Sequence, residues 1–261
     1  MGRYRFLTRP RWVLFSAVML GLVVLMVNLA LWQLRRLHER RAMNAEVVAA
    51  EHEDPIDATA PGSIRQWRTL TASGTYDVSQ QVLIRNRSYQ GQPGFHVVTP
   101  LQLADGRALL VNRGWIPLTE DGSTPTPPAP PSGPVVVTGR ARESQQRGAF
   151  FSPRDPPDGT LRQLYRVDVP RIAQQTPYPL IGDYVELLTT TPAVADPQPV
   201  LIPAPELDDG PHLSYAGQWV FFSGCAVAGW ILVVRRTVKQ QAKAAALAAS
   251  TPSEATADVT G

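Results

Sequence analysis

The chain has 261 residues, with 25 basic and 22 acidic side chains, a formal net charge of +3 and a single cysteine, Cys225. One cysteine excludes an internal disulfide, a CxxC redox pair and a cysteine-rich zinc site. The positive charge lies at the ends: residues 1–34 carry four arginines and no acid, and residues 235–261 carry Arg235, Arg236, Lys239 and Lys243 against Glu254 and Asp258, whereas 35–214 has a net charge of −3. That distribution argues against a nucleic-acid face and suits the inner surface of an anionic bilayer.

Beyond a short N-terminal stub, 1–11, residues 12–34 are uncharged and at 1.5 Å per residue reach roughly 34 Å, enough to cross a bilayer. The run ends in Trp32, Gln33, Arg35 and Arg36 and not in a small-residue cleavage site, so it reads as a retained anchor. Residues 37–52 extend that helix until the acidic, proline-bearing stretch 53–62 stops it. Runs rich in Val, Leu, Ile, Thr and aromatics then recur between Gly, Pro and Asp: 67–76, 81–87, 95–103, 107–116, 135–143, 163–169 and 183–190. These predict strands, and the Ala-Asp-Gly turn at 104–106 predicts a hairpin between two of them. The proline-rich stretch 122–134 predicts an irregular surface loop, and 191–211, broken by six prolines, a linker back to the membrane.

The uncharged run 215–234 is a second span, followed by a tail, 235–261. Acids before this span and four basic residues after it place the C-terminus in the cytoplasm, and two spans place the N-terminus there as well. Arg3, Arg5, Arg9 and Arg11 agree; Arg35, Arg36, Arg40 and Arg41 oppose, but they lead into a long domain that translocates despite its charge. Small residues four apart, Ala17 with Gly21 and Gly224 with Ala228, predict that the two helices pack directly. The fold class that follows is a multi-pass cell-membrane protein of α+β type. Its two transmembrane helices flank a mainly antiparallel extracytoplasmic β domain, 35–214, built as a small barrel or sandwich.

Little here suits catalysis. Lysine occurs only at 239 and 243, and the histidines at 38, 52, 96 and 212 include no pair at metal-ligand spacing, no HExxH and no GxSxG element. His212 precedes Tyr215 by three residues and Trp219 by seven, so in a helix beginning by Pro211 all three share one face at the outer membrane boundary. A neutral imidazole there can ligate haem iron with the aromatics on the macrocycle; equally, the three suit an interfacial aromatic belt.

Four segments are familiar together: GQPGFHVVTPLQLADGRALLVNRGWIP at 91–117, GTYD at 74–77, YRVDVPRIA at 165–173 and HLSYAGQWVFF at 212–222. With LALWQLRRL at 29–37, the chain resembles the surfeit locus protein one family over nearly its whole length, and in particular its bacterial members. The resemblance implies a non-enzymatic assembly factor for haem-copper cytochrome c oxidase that acts when haem a is placed in the catalytic subunit. It implies haem a as a transient cofactor, His212 as its candidate ligand with Tyr215 and Trp219 beside it, and oxidase subunit I and haem a synthase as partners. A haem-independent scaffold that binds apo-subunit I through helix packing fits the same resemblance. Arg113 and Trp115, in the Asn-Arg-Gly-Trp element, then form either a surface toward the oxidase or the haem propionates, or a strand end whose tryptophan closes the barrel.

Overall fold

The computed structural model describes residues 4–60, 64–146, 152–194 and 199–250. The elements in chain order are α1 (Pro10–Glu51), β1 (Ile56–Asp57), β2 (Thr69–Tyr76), β3 (Val82–Tyr89), β4 (Gln92–Leu103), β5 (Ala108–Pro117), β6 (Pro134–Arg142), β7 (Gln163–Leu164), α2 (Val169–Ala173), β8 (Leu180–Thr191) and α3 (His212–Ser250). They fall into two compact units, Met1–Met43 with Leu207–Gly261, and Asn44–Glu206.

The first unit is a pair of antiparallel helices, each long and apolar enough to cross a membrane. Helix α1 begins on Pro10, whose fixed φ suits a first helical position, and no proline interrupts it before Pro55. The less exposed residues of α1 recur at alternating spacings of four and three: Trp12, Ser16, Met19, Val23, Met26 and Ala30. In α3 the same rhythm runs through His212, Ala216, Trp219, Ser223, Ala226 and Trp230, so the helices meet along a coiled-coil-like seam. At one end Phe6 packs with Val234 and Val238, and Trp230 Nε1 donates to Ser16 Oγ at 3.1 Å. At the other end Arg40 and Arg41 pair with Asp208 and Asp209 at 3.0 and 2.7 Å.

The small residues expected at this interface do not form it. A Cβ on Gly21 or Gly224 would meet nothing within 4 Å, and Ala17 and Ala228 are exposed. Ala17 follows the seam residue Ser16 by one position, about 100° round the helix, so its stripe faces outward.

In the second unit the strands close on themselves. Antiparallel pairs join β2 to β6, β6 to β8 and β5 to β4, while β5 and β8 run parallel. The ring shuts where the end of β4 returns to β2, from Gly74 opposite Leu103 to Tyr76 opposite Leu101. Gly74 permits that closure, because a Cβ there would stand 2.2 Å from Gln102 O. The result is a five-stranded Greek-key barrel with the connectivity of the OB type. The parallel pairs β5–β8, β1–β2 and β3–β7 make the sheet mixed, but the longer pairings are antiparallel, as the expected mainly antiparallel domain requires.

Leu70, Leu101, Leu109, Val111, Val137 and Val185 fill the barrel. A second cluster, including Val82, Ile84, Val98, Leu110, Ile172 and Tyr184, lies where β3, β7 and α2 cover the barrel's outer face. The strand expected over 163–169 is two residues long; Asp168 then caps α2, accepting from Arg171 N at 3.1 Å, with Pro170 in the first turn.

Two segments expected to be loose are pinned. The proline-rich loop is irregular, as its composition requires, but Pro128 O accepts from Arg113 at 3.0 Å and Thr124 Oγ1 from Gln163 Nε2 at 2.6 Å. In the stretch 191–211, Val200 exchanges two backbone hydrogen bonds with Trp115, both 2.8 Å. Arg140 also donates to Ile202 O and Pro203 O, at 3.0 and 3.1 Å.

Candidate functional site

His212 is the first residue of α3, behind Pro211, whose carbonyl accepts from Tyr215 N at 3.1 Å. Its Nδ1 stands 2.8 Å from Gln33 Oε1 on α1. An amide oxygen only accepts, so Nδ1 donates in this contact, and in the neutral ring that tautomer leaves the lone pair on Nε2. Histidines that bind metals are held in this way, the far ring nitrogen donating to an oxygen that sets tautomer and orientation. Gln33 lies in the LALWQLRRL segment, but its proximity to His212 depends on the register of two helices, the two residues being 179 positions apart in sequence.

The three residues expected on one face differ in exposure. Trp219, seven positions on, lies about 20° from His212 around the helix and stays on the seam, whereas Tyr215 lies about 60° away and turns outward. Tyr215 is 48 % exposed, while Trp219 is half-buried with its ring edge-on to Phe222 at 6.2 Å.

Arg113 and Trp115 are both buried, 3 % and 5 % exposed, in the barrel's wall. The Trp115 indole packs on Tyr89 at 5.5 Å and donates to Arg87 O at 3.4 Å. Between the two residues Gly114 has φ +128°, and a Cβ there would lie 2.3 Å from Val200 O. The register of β4 against β5 slips at this point, with Val97 opposite Gly114 and Val98 opposite Asn112, so Arg113 is the extra residue of a β-bulge. The element thus seats the Val200 strap against the barrel's wall.

Sequence reasoning passed over a polar row on the same domain. Asn112 Oδ1 accepts from Gly114 N at 3.3 Å, which points its amide nitrogen at His96 Nδ1, 3.2 Å away. Burial, with the charge of Arg87 behind it, lowers the His96 pKa from 6.5 to about 4. Glu186 lies between Arg140 and Arg142, at 3.7 and 3.6 Å, and Arg142 stacks over Trp67 at 3.8 Å. Among the described residues no three His, Cys, Asp or Glu side chains gather as a metal site.

Comparison with known proteins fits this architecture. A family model described as the SURF1 family matches residues 20–224. An uncharacterized SURF1-like protein of Mycobacterium bovis is 31% identical over 241 residues, covering 88% of this chain and 85% of the relative. A SURF1-like protein of Dictyostelium discoideum is 23% identical over 245 residues, 77% of this chain and 88% of its own length. Surfeit locus protein 1 of Xenopus tropicalis is 27% identical over 148 residues, covering 49% of this chain and 48% of the relative.

Proposed function

Since the chain belongs to the SURF1 family, we propose that it is a membrane-held assembly factor for haem-copper cytochrome c oxidase that receives haem a and passes it to the catalytic subunit. The observation that carries this reading is the His212–Gln33 contact: it engages Nδ1 and leaves Nε2, beside the Gly210 turn, outside that bond. A ring nitrogen so oriented fits an axial iron ligand, and haem would supply the iron. Trp219 on the seam offers a flat apolar surface to a macrocycle, which the outward Tyr215 does not share. In this reading the helices span the cell membrane, both termini are cytoplasmic and the barrel lies outside. Their antiparallel course and the basic residues after the second span support that topology.

The test is an absorption spectrum of the protein purified from cells that make haem a, for the native chain and for His212→Ala. A Soret band that His212→Ala weakens by about tenfold or more in occupancy, at normal membrane abundance, supports the reading. Full occupancy in the variant moves the ligand elsewhere. Absence of haem from the native protein favours the scaffold for apo-subunit I, which has its own support: Ala17, Gly21, Gly224 and Ala228 face outward, where close approach by a partner helix is open.

A further inference from the structure

Strands β5 and β8 run parallel with Asn112 level with Glu186, which brings Arg113 next to Leu187 on the barrel's inner side. A cavity of about 380 Å3 opens there, its lining including Arg113, Leu187, Thr190, Val194, Val200 and Leu201. That volume falls within the range of small-molecule sites. Its wall is apolar apart from a few polar groups, Arg113 and Thr190 among them. Arg113 is 3 % exposed and forms no ion pair among the described residues; its hydrogen bonds, to Gln81 Oε1 at 3.3 Å and Pro128 O at 3.0 Å, both leave from Nη1. The Nε–Nη2 edge makes no hydrogen bond among the described residues, and the guanidinium lies over the Tyr76 ring, 5.8 Å from its centroid. Thr190 Oγ1 is buried without a hydrogen bond.

A guanidinium withdrawn from water without a counter-charge is costly, and the cost is recovered when an anion arrives with matching geometry. The geometry points to a binding site for a small anionic amphiphile, a medium-chain carboxylic acid. Its carboxylate sits on the Nε–Nη2 edge of Arg113, and its alkyl body lies against Leu187, Val194 and Leu201. The planar fork of arginine matches a carboxylate with two parallel hydrogen bonds, and the apolar wall takes a chain that a more hydrophilic anion lacks. Every residue of the site belongs to the β domain, so the inference stands apart from the haem reading.

The test uses the full chain in a neutral maltoside detergent and radiolabelled octanoate in equilibrium dialysis, with empty micelles as the blank. The native protein takes up octanoate saturably, and octanol does not displace it. Arg113→Gln weakens binding by about tenfold or more, and so does Leu201→Trp, which fills the cavity while leaving the guanidinium in place. If Arg113→Gln fails to fold, the Leu201→Trp result, taken with an unchanged circular dichroism spectrum, decides. No saturable uptake by the native chain, uptake unchanged by Leu201→Trp, or displacement by octanol as effective as by octanoate overturns the proposal.

Discussion

Protonating His96 should destabilise the β domain at mildly acidic pH, and the size of the effect follows from its surroundings. The Asn112 amide is oriented by Gly114 N, so His96 Nδ1 must accept from it; a proton on Nδ1 would set two donors against each other 3.2 Å apart. The folded-state pKa, lowered by burial and then by Arg87 to about 4, lies below the ordinary 6.5. A lowered histidine pKa means that the unfolded chain binds the proton first, so stability is complete above about pH 6.5 and drains away as pH falls toward 4. With those two values the loss is about 2 kcal/mol at pH 5 and about 3 kcal/mol at pH 4. His96→Asn keeps an acceptor near the Nδ1 position and removes the titration. Urea unfolding of both proteins, followed by tryptophan fluorescence between pH 7.5 and 4.5, isolates the histidine from the carboxylates that titrate in each. The midpoints should separate progressively below pH 6.5, with the native chain losing more. Parallel curves over that range would refute the argument.

Gly114→Ala places a methyl 2.3 Å from Val200 O at a φ of +128°, and should cost about 3 kcal/mol or more, seen as a lowered urea midpoint and early proteolysis of the Val200 segment. Ala216→Leu, at a seam position 4 % exposed, should destabilise the helix pair by about 1–3 kcal/mol in SDS titration, while Gly21→Leu, facing outward, should leave the titration unchanged. For topology, Ser123→Cys in a Cys225→Ser background should react with an impermeant maleimide in intact cells and Gln241→Cys should not; the reverse labelling would overturn the proposed orientation.

The elements that the sequence displays most clearly are those whose signal is local. Runs rich in Val, Leu, Ile and Thr marked β4, β5 and β6, and Ala-Asp-Gly marked the turn that joins β4 to β5, where Gly106 N donates to Leu103 O at 3.2 Å. What was illegible is long-range. No local pattern says that β8 enters between β5 and β6, or that Gly74 lets β2 meet β4. The α2 helix did carry a signal, Asp168 followed by Pro170, but its apolar residues also fit a strand. Small residues four apart drew attention from the four-three rhythm that places the helix seam. Of the candidate site, the position of His212 at the start of α3 was readable, but its tether to Gln33 was not, since it depends on the pairing of two distant helices.

The barrel's connectivity also dictates when it can exist. Its last strand, β8, is the one that separates β5 from β6, and only with both pairings made does the ring have no open side. A nascent chain that stops short of Leu180 therefore holds two long strands with bare hydrogen-bonding edges, a state prone to pair with other chains. No early hairpin can settle into its final sheet and wait; closure must follow completion of nearly the whole domain, which makes its folding a late event in the synthesis of the protein.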